Sequence, residues 1–170
     1  MNNQLDSYQT NREQGLGDRI LGSQLFKRYH NAFTASTGLP LDFLPADHLE
    51  RLPFADQANE TRFCRMLRSK CPTGWKMANA LLLTEAQTQG TTVTADSFGG
   101  LLETAIPVRV GKKLVGFLRV GQVVATEPRE EGFLSLVERL RAKGLRGSAE
   151  EGLRAAYEAI PVIPLNRYTG

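Results

Sequence analysis

The chain has 170 residues, 41% of them hydrophobic and 16 of them glycine, a composition that suits one globular domain and excludes a disordered, fibrous or disulfide-framed one. No apolar run approaches the roughly 20 residues of a membrane span, and the polar start, Met1 to Asp6, lacks the basic-then-apolar order of a signal peptide, so a cytoplasmic protein is expected. The 21 Lys and Arg against 18 Asp and Glu leave a net charge of +3, but the signs are interleaved rather than drawn into a stripe, which argues against nucleic acid as a direct partner.

Residues 1–22 are rich in Asn, Gln and charge and read as a flexible or loosely helical lead-in, with the folded domain expected over 23–168. From Ser23, the residues Leu25, Phe26, Tyr29, Ala32 and Phe33 recur at helical spacing, and Thr37-Gly38 supplies a stop. A short strand follows at Leu39 to Leu44, ended by Pro45-Ala46-Asp47, and Arg51 to Asn59 reads as loop. Thr61 opens a helix with Phe63, Met66 and Leu67 on one face, and Pro72 suits the first position of a second helix reaching about Gln89. Thr91 to Ala95, Leu101 to Val110 and Leu114 to Ala125 read as strands, with a Ser97-Phe98-Gly99-Gly100 loop and a tight Gly111-Lys112-Lys113 turn between them. Phe133, Leu136, Val137 and Leu140 make one more helical face, and Leu153, Ala156, Tyr157 and Ile160 another, with Ser148 and Glu151 as its capping box. The tail from Pro161 reads as extended and polar. Strands joined by a three-residue turn are antiparallel, since a parallel pair needs a long crossover, so the class is α+β with an antiparallel sheet in a single domain.

The chemistry-bearing motifs are sparse. No nucleophile elbow, phosphate-binding glycine loop or dinucleotide fingerprint occurs, so no enzyme is expected. Two cysteines and two histidines, without close metal spacing, argue against a structural metal, and no cofactor is expected. Gly99-Gly100 reads as a sharp turn or a small anion nest. Alternation along the last strand sets Leu114, Gly116, Leu118, Val120 and Gln122 on one face and Val115, Phe117, Arg119, Gly121 and Val123 on the other. Gly116 and Gly121 imply a close backbone approach, a bulge, or space kept for a ligand, and Gln122 adds one neutral polar group to an aliphatic face, which suits a small, mostly apolar ligand with a polar handle. Cys71 precedes the start of a helix beside Lys70, where the positive dipole end favours a thiolate, but a buried, inert Cys64 and Cys71 pair is the preferred reading and a reactive thiol the alternative.

Several segments together resemble the PocR-type sensory domain, a PAS-like module found ahead of AraC-family transcription regulators and in bacterial signalling proteins. The resemblance spans about Leu25 to Tyr168. It is carried by YHNAFTASTGLPLDFLP (Tyr29 to Pro45), RFCRML (Arg62 to Leu67), Cys71, and GGLLETAIPVRVGKKLVGFLRVGQV (Gly99 to Val123). The chain departs from the family's cysteine pattern at Ser97 and Gly74. The resemblance implies a PAS-like antiparallel sheet flanked by helices, with Phe63, Cys64, Cys71, Gly100, Leu101, Pro107, Gly116, Gly121 and Gln122 lining or shaping a pocket. It implies a small organic effector, alcohol-like or hydrocarbon-derived, and a homodimer. DNA would be reached only through a helix-turn-helix module downstream or on a separate protein. The alternative is a redox or metal sensor that uses Cys64 and Cys71.

Overall fold

The computed structural model describes residues 15–49, 60–97, 99–126, 130–142 and 149–168. In chain order they form α1 (Leu16–Gly22), α2 (Gln24–Thr37), β1 (Leu41–Pro45), a 3-10 turn (Ala46–His48), α3 (Arg62–Lys70), α4 (Pro72–Gln89), β2 (Val93–Asp96), β3 (Leu102–Val110), β4 (Lys113–Val123), α5 (Glu130–Ala142), α6 (Ala149–Glu158) and α7 (Leu165–Tyr168). This is the single-domain α+β architecture that the strand spacing implied. The expected loop at 51–59, Ser148 of the expected capping box, and Phe98 lie outside the described residues.

The helix ends follow the local chemistry. Ser23 accepts a hydrogen bond from the Phe26 N–H at 3.0 Å and caps α2, which stops where Gly38 takes a left-handed φ of 71° and returns its N–H to Thr34. Thr61 caps α3 through the Cys64 N–H at 3.2 Å, and Pro72 starts α4 at a position whose N–H would have had no partner in the helix.

The four strands run in the order β1-β4-β3-β2, all antiparallel, so the first strand of the chain pairs with the last. Pairing fixes which side chains share a face, because directly opposed residues point the same way. One row across the sheet is Thr94, Thr104, Val120 and Leu41, followed by Ile106, Leu118 and Phe43. This outer face meets α2 and the C-terminal segment. On the inner face the rows are Ala95, Glu103 and Gly121, then Val93, Ala105, Arg119 and Asp42, and α4 packs there through Leu82, Leu83 and Ala86. The largest core lies beyond, where α3, α4, α5 and α6 join around Phe63, Trp75, Leu136, Leu140 and Leu153. The Tyr157 ring holds α3 to α5 there, with centroids 5.7 Å from Phe63 and 5.6 Å from Phe133.

Three features go beyond the sequence reading. The lead-in is helical where it is described, and Gly17 of α1 is pressed so closely on β1 and β4 that a Cβ there would stand 2.6 Å from the Val115 carbonyl oxygen. The apolar face of α2 is only partly used: Phe26 stacks against Phe43 with centroids 5.6 Å apart, while Leu25 is 80% exposed. The tail is not merely extended, since Val162 bridges Val124 in parallel and α7 follows.

Candidate functional site

The outer face of the sheet carries a cleft of about 480 Å³, walled by Phe33, Thr37 and Leu39 on one side and by Ile163, Arg167 and Tyr168 on the other. Its floor is the Thr94, Thr104, Ile106 and Val120 surface, apolar except for a chain of hydroxyls. The order of protons along that chain is fixed by its end. Tyr168 donates to the Val120 carbonyl, which can only accept, at 3.1 Å. Thr104 donates to the Tyr168 oxygen at 3.0 Å, and having spent its one proton must accept from Thr94 at 2.7 Å. Lone pairs on the Thr94 oxygen are left facing the cleft, so this end of the chain receives a donor. Burial pushes the Tyr168 hydroxyl above its ordinary pKa, against the opposing effect of its bond to Thr104, and keeps it a phenol.

The inner face carries a buried polar group. Arg119, 3% exposed, donates to Asp42 Oδ2 at 2.8 Å and to Asn79 Oδ1 on α4. Glu60 and Arg68 form a second pair, at 2.9 Å, ahead of and along α3. Glu103 is left over: it is 1% exposed, and neither carboxylate oxygen has a hydrogen-bond partner. Its cross-strand neighbours are Ala95 and Gly121, which offer no polar atom on a side chain. Burial raises the Glu103 pKa, the Arg119 charge opposes that shift, and the adjacent Ser97 hydroxyl opposes it further.

The residues expected to shape a pocket divide between these two sides. Phe63, Cys64, Cys71 and Leu101 are brought together, but as close-packed members of the main core. Gly100 lies in the turn before β3, beside the Arg139 guanidinium, and Pro107 faces Phe117 across the β3–β4 pair. Gly116 is a close approach rather than reserved space, because a Cβ there would meet Phe43 Cζ at 2.5 Å and the Leu44 carbonyl oxygen at 2.6 Å. Gly121 and Gln122 form a bulge: Glu103 pairs with Gly121 and Leu102 with Val123, so Gln122 is the extra residue. The alternation that placed Gln122 beside Val120 therefore breaks at this point. Gln122 takes a left-handed φ of 61° and its side-chain carbonyl accepts the Thr61 N–H at 2.9 Å, tying β4 to the head of α3.

A family model, that of the sensory domain found in PocR, matches residues 19–169. The chain belongs to this family. No curated protein and no solved structure matches the chain significantly. In this PocR domain Cys64 and Cys71 are free, buried thiols, Cys64 in the first turn of α3 and Cys71 at the break between α3 and α4. Burial pushes both pKa values up, with the Glu103 charge adding to the effect at Cys64, so a thiolate at the head of α4 is disfavoured. Among the described residues no three or more His, Cys, Asp or Glu stand together in a way that could hold a metal ion. No helix among them is long and apolar enough to cross a membrane. The candidate site residues that sequence reasoning passed over are Thr94, Thr104 and Tyr168 on one face and Glu103 on the other. A charged residue inside the apolar strand LLETAIPV was the one local signal available for Glu103. The hydroxyl chain depends on strand register, which no short stretch of sequence contains.

Proposed function

We propose that this PocR domain senses a small organic effector held in the outer-face cleft, as the ligand-binding part of a cytoplasmic bacterial transcription regulator or signalling protein, without catalysis. The observation that carries the reading is the cleft itself: its volume lies in the range of small-ligand sites, its walls are mostly apolar, and its hydroxyl chain ends in an acceptor. A molecule of alcohol-like character, apolar with one donor, matches that surface. The effector would act by binding one arrangement of the domain more tightly than another, the only way a ligand shifts an equilibrium. We include in the proposal a homodimer, and DNA contact made through a helix-turn-helix module rather than through this domain. The folded unit proposed runs over 23–168.

The test is a thermal-shift series with straight-chain alcohols of three to six carbons and their methyl ethers, which cannot donate. Alcohols should raise the melting temperature of the wild type and ethers should not. Thr94→Val should weaken the response by the worth of one hydrogen bond, about 0.5–1.5 kcal/mol, and Val120→Phe should abolish it by filling the cleft. Equal responses from wild type and Val120→Phe would remove the cleft from the proposal.

A further inference from the structure

On the side of the sheet away from the cleft, a groove of about 310 Å³ runs between α4 and β2. Leu81 and Leu82 supply its apolar wall, Glu85 and Asp96 its charged rim, and among the described residues no basic one lines it. Ala95 and Ser97 also line it. Both border Glu103: Ala95 is its cross-strand partner on β2, and the Ser97 hydroxyl is the neighbour that opposes its pKa shift. The Ser97 oxygen, like the two Glu103 oxygens, is closed to solvent, and among the described residues the two groups interact with each other but make no hydrogen bond of standard geometry.

Charge accounting makes the position of Glu103 unusual. Arg119 lies diagonally across the β3–β4 pair, within reach of Glu103, yet its hydrogen bonds go to Asp42 and Asn79. Glu60 has Arg68. Glu103 therefore feels the Arg119 charge but takes no hydrogen bond from it, and a buried carboxylate in such a setting is disfavoured until it is protonated or more closely partnered. The groove that approaches it is rimmed by acids, which concentrates cations at its mouth. The wall on that side, β2, is a four-residue edge strand bonded on one side only, to β3.

We propose that the groove between α4 and β2, with Ser97 in its lining and Glu103 buried behind Ser97 and Ala95, is a second binding site, and that it takes a small organic cation, an alkylammonium whose N–H groups reach past Ser97 to the Glu103 carboxylate while its alkyl chain lies against Leu81 and Leu82. This site lies on the opposite face from the cleft and does not rest on the reading given for the cleft. Cation and proton compete for one carboxylate, so binding tightens as pH rises. The other titratable groups that face Glu103 are Arg119 on β4, Asp42 on β1, Glu60 before α3, Cys64 on α3 and Tyr168 on α7. Arg119 stays charged and Cys64 and Tyr168 stay protonated through the acid and neutral range, because each has its pKa raised.

The experiment titrates the full chain with n-butylammonium chloride at fixed ionic strength, with n-butanol as the neutral control, and reads melting temperature and the emission of Trp75, the one tryptophan. Butylammonium should stabilise the wild type saturably. Glu103→Gln should weaken that binding by about 10- to 100-fold, the loss of a charge-assisted hydrogen bond, and should leave any butanol response unchanged. Asp96→Asn, on the exposed rim, should weaken it by a smaller factor. A Glu103→Gln protein that binds butylammonium as the wild type does overturns the proposal. Should that variant not fold, wild-type affinity that does not change between about pH 4 and pH 8 overturns it equally. A failure of the alcohol series leaves this result untouched, and the reverse also holds.

Discussion

Gly116→Ala should destabilise the protein, although adding a methyl group to a strand glycine ordinarily helps. The usual gain, from restricting the unfolded chain, is about 0.5–1 kcal/mol. Against it stands a methyl carbon placed 2.5 Å from Phe43 Cζ and 2.6 Å from the Leu44 carbonyl oxygen, where ordinary contact begins near 3.4 Å. The oxygen belongs to the backbone of β1, whose Pro45 pairs with Gly116 itself, so it moves only if the β1–β4 ladder moves. The Phe43 ring is in turn held against Phe26 of α2. Overpacking of this kind costs about 1–3 kcal/mol, which outweighs the gain and leaves a net loss of about 1–2 kcal/mol. For a chain of this size that lowers the melting temperature by roughly 2–8 °C, measurable by calorimetry or by urea unfolding with an unchanged slope. Phe43→Leu removes the ring contact and should recover part of the loss in a double-mutant cycle. A Gly116→Ala protein as stable as the wild type would show that β4 keeps free space at this point after all.

Gln122→Leu should cost about 1–3 kcal/mol in urea unfolding, because the Thr61 N–H loses its acceptor at the head of α3. Glu103→Gln should change how stability depends on pH. Because the folded protein holds the Glu103 proton more tightly than the unfolded chain does, the wild type loses stability as pH rises from the ordinary carboxylate value through the raised one, and in melts across that window the variant should lose that slope. Cys64 and Cys71 should react with a thiol reagent at the rate of unfolding rather than on mixing, since both are buried with raised pKa values; immediate reaction of either one in native buffer would contradict this.

Local pattern made most of the elements readable. Ser23, Gly38, Thr61 and Pro72 mark helix ends by their own chemistry, and the Gly111 turn announces the β3–β4 hairpin. The sheet order could not be read the same way, because the pairing of Leu41 with Val120 depends on the whole chain rather than on a neighbouring stretch. The bulge at Gln122 shows how site assignments fail from sequence. One extra residue reverses the alternation beyond Val120, so the polar group expected on the ligand face serves instead as an acceptor for α3. Gly116 and Gly121 were legible as special positions, but a missing side chain reads the same whether the space is empty, filled by Phe43, or required by a bulge. Thr94 and Thr104 sit in a β-branched pattern that any strand shows, and they become a site only when register lines up their oxygens with Tyr168.

The partnership of first and last strands also sets the order in which the molecule can be made. Asp42 and Arg119 are 77 positions apart in the chain, and β1 has no strand partner but β4. During synthesis β1 leaves the ribosome long before β4 does, and until then α1 to α4 have helical structure but no sheet to close on. Loop closure over such a separation is paid before any of its contacts form, which places this domain among slow folders and leaves an unpaired β1 edge on the nascent chain. A fragment cut between Pro45 and Lys113 would carry that edge permanently, with Leu41, Phe43 and Leu44 exposed along it.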